Sequence, residues 1–181
     1  MKNFKQFKED YLKLDTYSLT AMAMCVALEI ILSRFLSIQT PITRLGFSFI
    51  ALALAGMLLG PVKAGVVGCV ADLIGIFLFS GYTFNPGITL TAILTGVLFG
   101  LFLYKRPSVI RCVMAAVLHQ VVLSLLLNTL WLALMYGSTY PAMFISRLPQ
   151  TAIMLPVEIV TLILICNKRT VGIFRREGLT K

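Results

Sequence analysis

Six apolar runs, separated by turn chemistry, fill most of this 181-residue chain and leave it few ways to fold. They extend from about Tyr17 to Ser37, Leu45 to Gly60, Ala64 to Ser80, Gly87 to Tyr104, Val109 to Tyr136 and Phe144 to Cys166. A helix needs about 20 apolar residues, with about 17 as a lower limit, to cross a hydrocarbon core ~30 Å thick. Thr40-Pro41, Gly60-Pro61, Asn85-Pro86-Gly87, Arg106-Pro107, Gly137 and Tyr140-Pro141 supply the breaks. The expected fold is all-α: an integral membrane bundle of six transmembrane helices spanning residues 16–167. Runs two, three and four are short for a bilayer, so longer neighbours are expected to shield some of them.

Composition agrees, since 59% of residues are apolar and 13% charged, against roughly 45–50% and about 25% in soluble domains. A secreted disulfide scaffold, a disordered tail and an ordinary cytosolic enzyme are excluded on that ground. Cys25, Cys69, Cys112 and Cys166 sit singly in apolar stretches, as small buried side chains do. With one histidine in the chain, zinc chemistry is not expected.

Residues 1–15 place Phe4, Phe7, Tyr11 and Leu14 at helical spacing between Lys2, Lys5, Lys8 and Lys13. That pattern predicts an amphipathic helix on an anionic leaflet, and Asp15 is a candidate cap for the first span. With the amino terminus in the cytoplasm, 13 of the 16 basic residues fall on the inner side, including those of a basic tail over 168–181. The positive-inside rule then puts both termini in the cytoplasm. Most of the +9 formal charge is accounted for by topology, and nucleic acid need not be invoked.

Three arginines break the rule. Arg34, Arg44 and Arg147 lie at the outer ends of spans, near loops that hold Tyr82, Phe84 and Asn85 but no Asp or Glu. A guanidinium offers a planar fork of donors suited to carboxylate or phosphate, although any single one could snorkel to headgroups. Asn128 and Trp131 are three apart in span five, as are Arg147 and Gln150 in span six, where Pro149 and Pro156 free backbone carbonyls. An amide that reads a hydrogen-bonding edge and an indole that stacks suit a flat heteroaromatic ring carrying carboxylates. Taken singly, Asn128 could equally glue helices and Trp131 could belong to an interfacial belt.

Glu29, Asp72 and Glu158 lie within spans, where carboxylates are costly and point to function. They are candidates for a proton relay, for bundle-holding pairs or, in Glu158 above all, for ligand contact. His119 is more readily a structural histidine than a ligand contact. Ala23/Ala27, Gly56/Gly60 and Gly96/Gly100 form small-xxx-small pairs that permit close helix approach. No GxxxxGK[ST], HExxH or GxSxG is present, nor is an internal repeat evident, so the chain itself is expected neither to hydrolyse ATP nor to catalyse a reaction.

The stretches AMAMCVALEIILSRF, RLGFSFIALALAGMLLGPVKAGVVGCVADLIG and RLPQTAIMLPVEI resemble the folate-specific S-components (the FolT family) of energy-coupling factor (ECF) transporters. The block across spans two and three resembles S-components at large; LSRF, NTLWL and RLPQTAIMLPVE resemble the folate group. The resemblance implies a prokaryotic plasma-membrane subunit that captures folate from outside, with no cofactor of its own. It further implies delivery inward with a transmembrane T-component and two ATPase subunits that hydrolyse ATP. Ala23 and Ala27 match the AxxxA that meets the T-component in that family.

Folate has a pterin ring and a glutamate tail with two carboxylates. Trp131, Asn128 and Gln150 are the candidates for the ring, Arg34, Arg44 and Arg147 for the tail, and Phe49, Phe84 and Asn85 for the path between. Glu158 completes the set. Rival readings are an S-component for thiamine, riboflavin, pantothenate or another nutrient, and a stand-alone proton-coupled carrier; a small intramembrane enzyme has no catalytic constellation in its favour.

Overall fold

The computed structural model describes residues 15–34, 38–39, 44–78, 85–104, 108–137 and 139–166. The expected amphipathic segment up to residue 14 and the basic tail lie outside the described residues. The helices are α1 (Thr16–Arg34), α2 (Ser48–Leu59), α3 (Pro61–Leu78), α4 (Pro86–Leu103), α5 (Val109–Leu118), α6 (Asn128–Tyr136) and α7 (Tyr140–Ile165). A π-helical stretch, His119–Leu127, joins α5 to α6, so these form one long span. Between α1 and α2 a minimal ribbon pairs β1 (Ile38–Gln39) with β2 (Arg44–Leu45), in register Ile38↔Leu45 and Gln39↔Arg44. The six runs are thus recovered as helices, and residues 35–37 at the end of the first run lie outside the described residues.

Five of the spans are long and apolar enough to cross a membrane. α2 is the exception: 12 residues rise about 18 Å, well short of the hydrocarbon thickness. It is also the helix most enclosed by protein. Phe49, Ala51, Leu52, Ala53, Ala55 and Met57 are all buried, and α1, α3 and α4 pack around it. A short helix that touches neighbours on every side has little need to match the bilayer. Outward-facing apolar residues such as Met24, Ile110 and Ile153 lie instead on α1, α5 and α7.

Glycines set how closely α2, α3 and α4 approach. A Cβ on Gly56 would stand 2.7 Å from the backbone N of Gly100, and one on Gly96 2.3 Å from the carbonyl oxygen of Ala64. Gly68 faces Ala92, and Gly100 faces Pro61, in the same way. The paired positions run in opposite order along α3 and α4, so the two helices are antiparallel with backbones in contact. Gly60 serves differently, since its φ of 85° makes the one-residue turn between α2 and α3.

At the start of α1, the Ser18 hydroxyl donates to the Asp15 carbonyl at 2.8 Å and accepts from the Asp15 N–H at 3.1 Å. The Ser18 side chain is thus folded back onto the backbone of Asp15, whose carbonyl also accepts from the Leu19 N–H at 3.0 Å. Asn85 caps α4, its Oδ1 accepting from the Gly87 N–H at 2.9 Å, with Pro86 in the first turn.

Candidate functional site

One end of the bundle gathers polar groups at the first turn of α4. Gly87 lies under the Trp131 indole: a Cβ there would come within 2.1 Å of Cδ2 and 2.5 Å of Cε2. Thr89 Oγ1 donates to Asp72 Oδ2 on α3 at 2.7 Å, and Thr91 Oγ1 donates to the Gly87 carbonyl at 3.0 Å. The Asn85 amide, besides capping, approaches Met135 Sδ at 3.6 Å. Two residues before Trp131 on α6, Thr129 accepts a hydrogen bond from Arg147 of α7 at 3.4 Å. Asn85, Trp131 and Arg147 are thereby brought to one end from three helices.

Arg147 is 5% exposed, and among the described residues its guanidinium meets the Thr129 hydroxyl and no carboxylate. A desolvated guanidinium needs an anion or several good acceptors to offset lost hydration. Trp131 Nε1 is likewise buried with no hydrogen-bond partner. A donor without an acceptor inside a protein costs about 1–3 kcal/mol. A positive group short of an anion and an indole N–H short of an acceptor together describe a site for an anionic, acceptor-bearing ring compound.

Asn128 opens α6 half-buried, three residues before Trp131, and Gln150 lies half-buried one turn after Arg147. Phe49 is placed in the core, 6.4 Å from the Phe47 ring. Arg34 ends α1 and Arg44 pairs in the ribbon, their side chains lying outside the described part of the chain; Phe84 lies outside the described residues altogether. Glu158 is not brought to this group. It sits eleven residues beyond Arg147 on α7, about 16 Å by helical rise.

At that deeper level Glu158 Oε1 meets His119 Nδ1 at 2.7 Å, and Phe99 packs on the imidazole with ring centroids 5.2 Å apart. The sequence does not join Glu158 to His119, because a separation of 39 positions hides their pairing. The π-helical turn beginning at His119 is a signal that sequence periodicity does not carry. Asp72 and Glu158 are held by different partners, Thr89 and His119.

Residues 17–166 match the family described as ECF transporter, substrate-specific component. The chain belongs to the substrate-specific (S) components of ECF transporters. S-components are non-catalytic, multi-pass membrane proteins, consistent with the five long apolar helices. The folate transporter FolT of Clostridium novyi (strain NT) is 42% identical over 142 residues, which cover 78% of this chain and 83% of the relative. FolT of Leuconostoc mesenteroides is 28% identical over 154 residues, covering 81% and 83%. A crystal structure of FolT bound with folic acid superposes with a TM-score of 0.81 at 35% identity, covering 85% of this chain and 95% of that one. A second S-component structure, at 24% identity and TM-score 0.56, shares the fold.

Proposed function

We propose that this S-component binds folate and serves its uptake. The observation that carries the reading is Arg147, a buried guanidinium with a hydroxyl for a partner and no carboxylate among the described residues. It lies on the helix that packs beside Trp131-bearing α6. Folate supplies what these groups lack: carboxylates for the arginine and a flat heteroaromatic ring with acceptors for the indole. The FolT relatives share this chemistry of substrate by name, and one is crystallised with folic acid. We assign Asn128 and Gln150 as the amides that read the ring edge, with Arg34 and Arg44 as further tail contacts.

Calorimetry on the purified chain is expected to show one-to-one folate binding, and absence of measurable heat would overturn the reading. Pteroate, which lacks the glutamate, should bind about tenfold or more weakly if Arg147 holds a tail carboxylate. Arg147→Ala should then remove most of the difference between the two ligands. Equal binding of both by the unaltered chain would give Arg147 another role.

In this reading both termini are cytoplasmic, the basic residues of loops and tail face anionic lipid, and folate enters from the opposite side. Transport requires a T-component and two ATPases, and ATP is hydrolysed there. Ala23 and Ala27 lie exposed on α1 beside Met24 and Leu28, a smooth apolar strip suited to a partner helix. Ala23→Trp should reduce folate uptake by cells to background while leaving folate binding intact. Loss of both activities together would mean that the strip packs within the subunit.

A further inference from the structure

We infer that Gly87 is a positioning residue for the ligand ring: its missing side chain seats Trp131 so that Nε1–H faces an acceptor on the bound ring. This rests on the folate reading above and assigns a role to a residue outside the candidates named from sequence.

The contact falls on the ring fusion. Cδ2, Cε2 and Cε3 are the atoms that a Cβ on Gly87 would meet, at 2.1, 2.5 and 2.5 Å. Contacts under 3.0 Å are essentially absent for real Cβ atoms, so even alanine displaces the indole. One face of the ring is therefore covered by α4 backbone, and the ligand acceptor is assigned to the Nε1 edge. Nε1 is buried and unpartnered, an arrangement that costs stability unless a ligand acceptor completes it.

The seat is rigid. The Gly87 N–H is held by Asn85 Oδ1 and the Gly87 carbonyl by Thr91 Oγ1. Close by on the same helix, Thr89 is tied to Asp72 of α3. Side chains on both sides thus fix the backbone against which the indole lies, the preorganisation a ring-binding site requires. Asn85 accordingly serves as a support of the seat.

The test uses the fact that Trp131 is the sole tryptophan, so intrinsic tryptophan emission reports this ring alone. In the ligand-free full-length protein, Gly87→Ala should shift emission to longer wavelength as the indole leaves its buried seat. Its folate affinity by calorimetry should fall about tenfold or more. Trp131→Phe, which keeps an apolar ring and loses the N–H, should also weaken folate about tenfold. Unchanged emission and affinity in Gly87→Ala would overturn the seat, and unchanged affinity in Trp131→Phe would overturn the donor role. Should Gly87→Ala not fold, Trp131→Ala and Gly87→Ala/Trp131→Ala decide: equal melting temperatures support the seat, whereas a double variant that still fails to fold overturns it. If the unaltered chain binds no folate, the functional reading fails, while emission and melting still judge the seat.

Discussion

Gly96→Ala is expected to lower the stability of the bundle by about 3 kcal/mol or more, or to leave no folded protein in detergent, because the added methyl has nowhere to go. Its Cβ would stand 2.3 Å from the Ala64 carbonyl oxygen, 2.6 Å from the Ala64 carbonyl carbon and 2.9 Å from the Gly65 nitrogen. All three are backbone atoms, so no rotamer change relieves the conflict and α3 must separate from α4. Separation would also disturb the Asp72–Thr89 hydrogen bond between the same helices. Leu101→Ala, on the exposed face of α4, provides the comparison and should change the melting temperature little. Equal melting of the two variants would show that α3 and α4 have slack where the structure shows backbone contact.

The small-residue pairs are legible in the sequence as pairs, yet their separate roles are not. Gly96 and Gly100 both press on backbone of neighbouring helices. Gly56 and Gly60 share the same spacing and divide, one packing against α4 and the other turning the chain. Ala23 and Ala27 point outward. Spacing establishes that two small residues share a face, and only the assembled bundle decides what that face meets. Apolar run length, in the same way, finds the helices among the described residues but does not distinguish α2, enclosed and 12 residues long, from helices that face lipid.

Depth is the harder quantity to read. Arg147, Gln150 and Glu158 follow one another closely in sequence, and their chemistry suggests one site. Helical rise puts Glu158 about 16 Å from Arg147, at the level of Phe99 and His119. Pairing across helices depends on the relative register of α4, the π-helical stretch and α7. A local change from α to π turns alters the phase of every residue after it, so a constant 3.6-residue period cannot place His119 against Glu158.

That deeper pair carries the other large effect. His119→Ala should destabilise the protein by about 1–3 kcal/mol, because it takes the hydrogen-bond partner from a buried carboxyl group. Glu158 is 0% exposed, its Oε1 is bonded to His119, and its Oε2 is buried with no partner. Removing the imidazole leaves the carboxyl group with no hydrogen bond among the described residues, in an interior that cannot solvate it. The same account predicts that removing both partners is far milder than removing one. His119→Phe combined with Glu158→Leu replaces two polar groups with apolar ones beside the Phe99 ring, and melting should return close to that of the unaltered chain. A double variant as unstable as His119→Ala would show that the pair contributes through shape and not through desolvation. The double variant also separates this layer from the site above it. With stability restored, folate affinity should stay within about threefold of the original if the ring and tail are held by Trp131 and Arg147. A large loss of affinity in a stable double variant would bring Glu158 back to the ligand, with the unpartnered Oε2 as the atom that meets it.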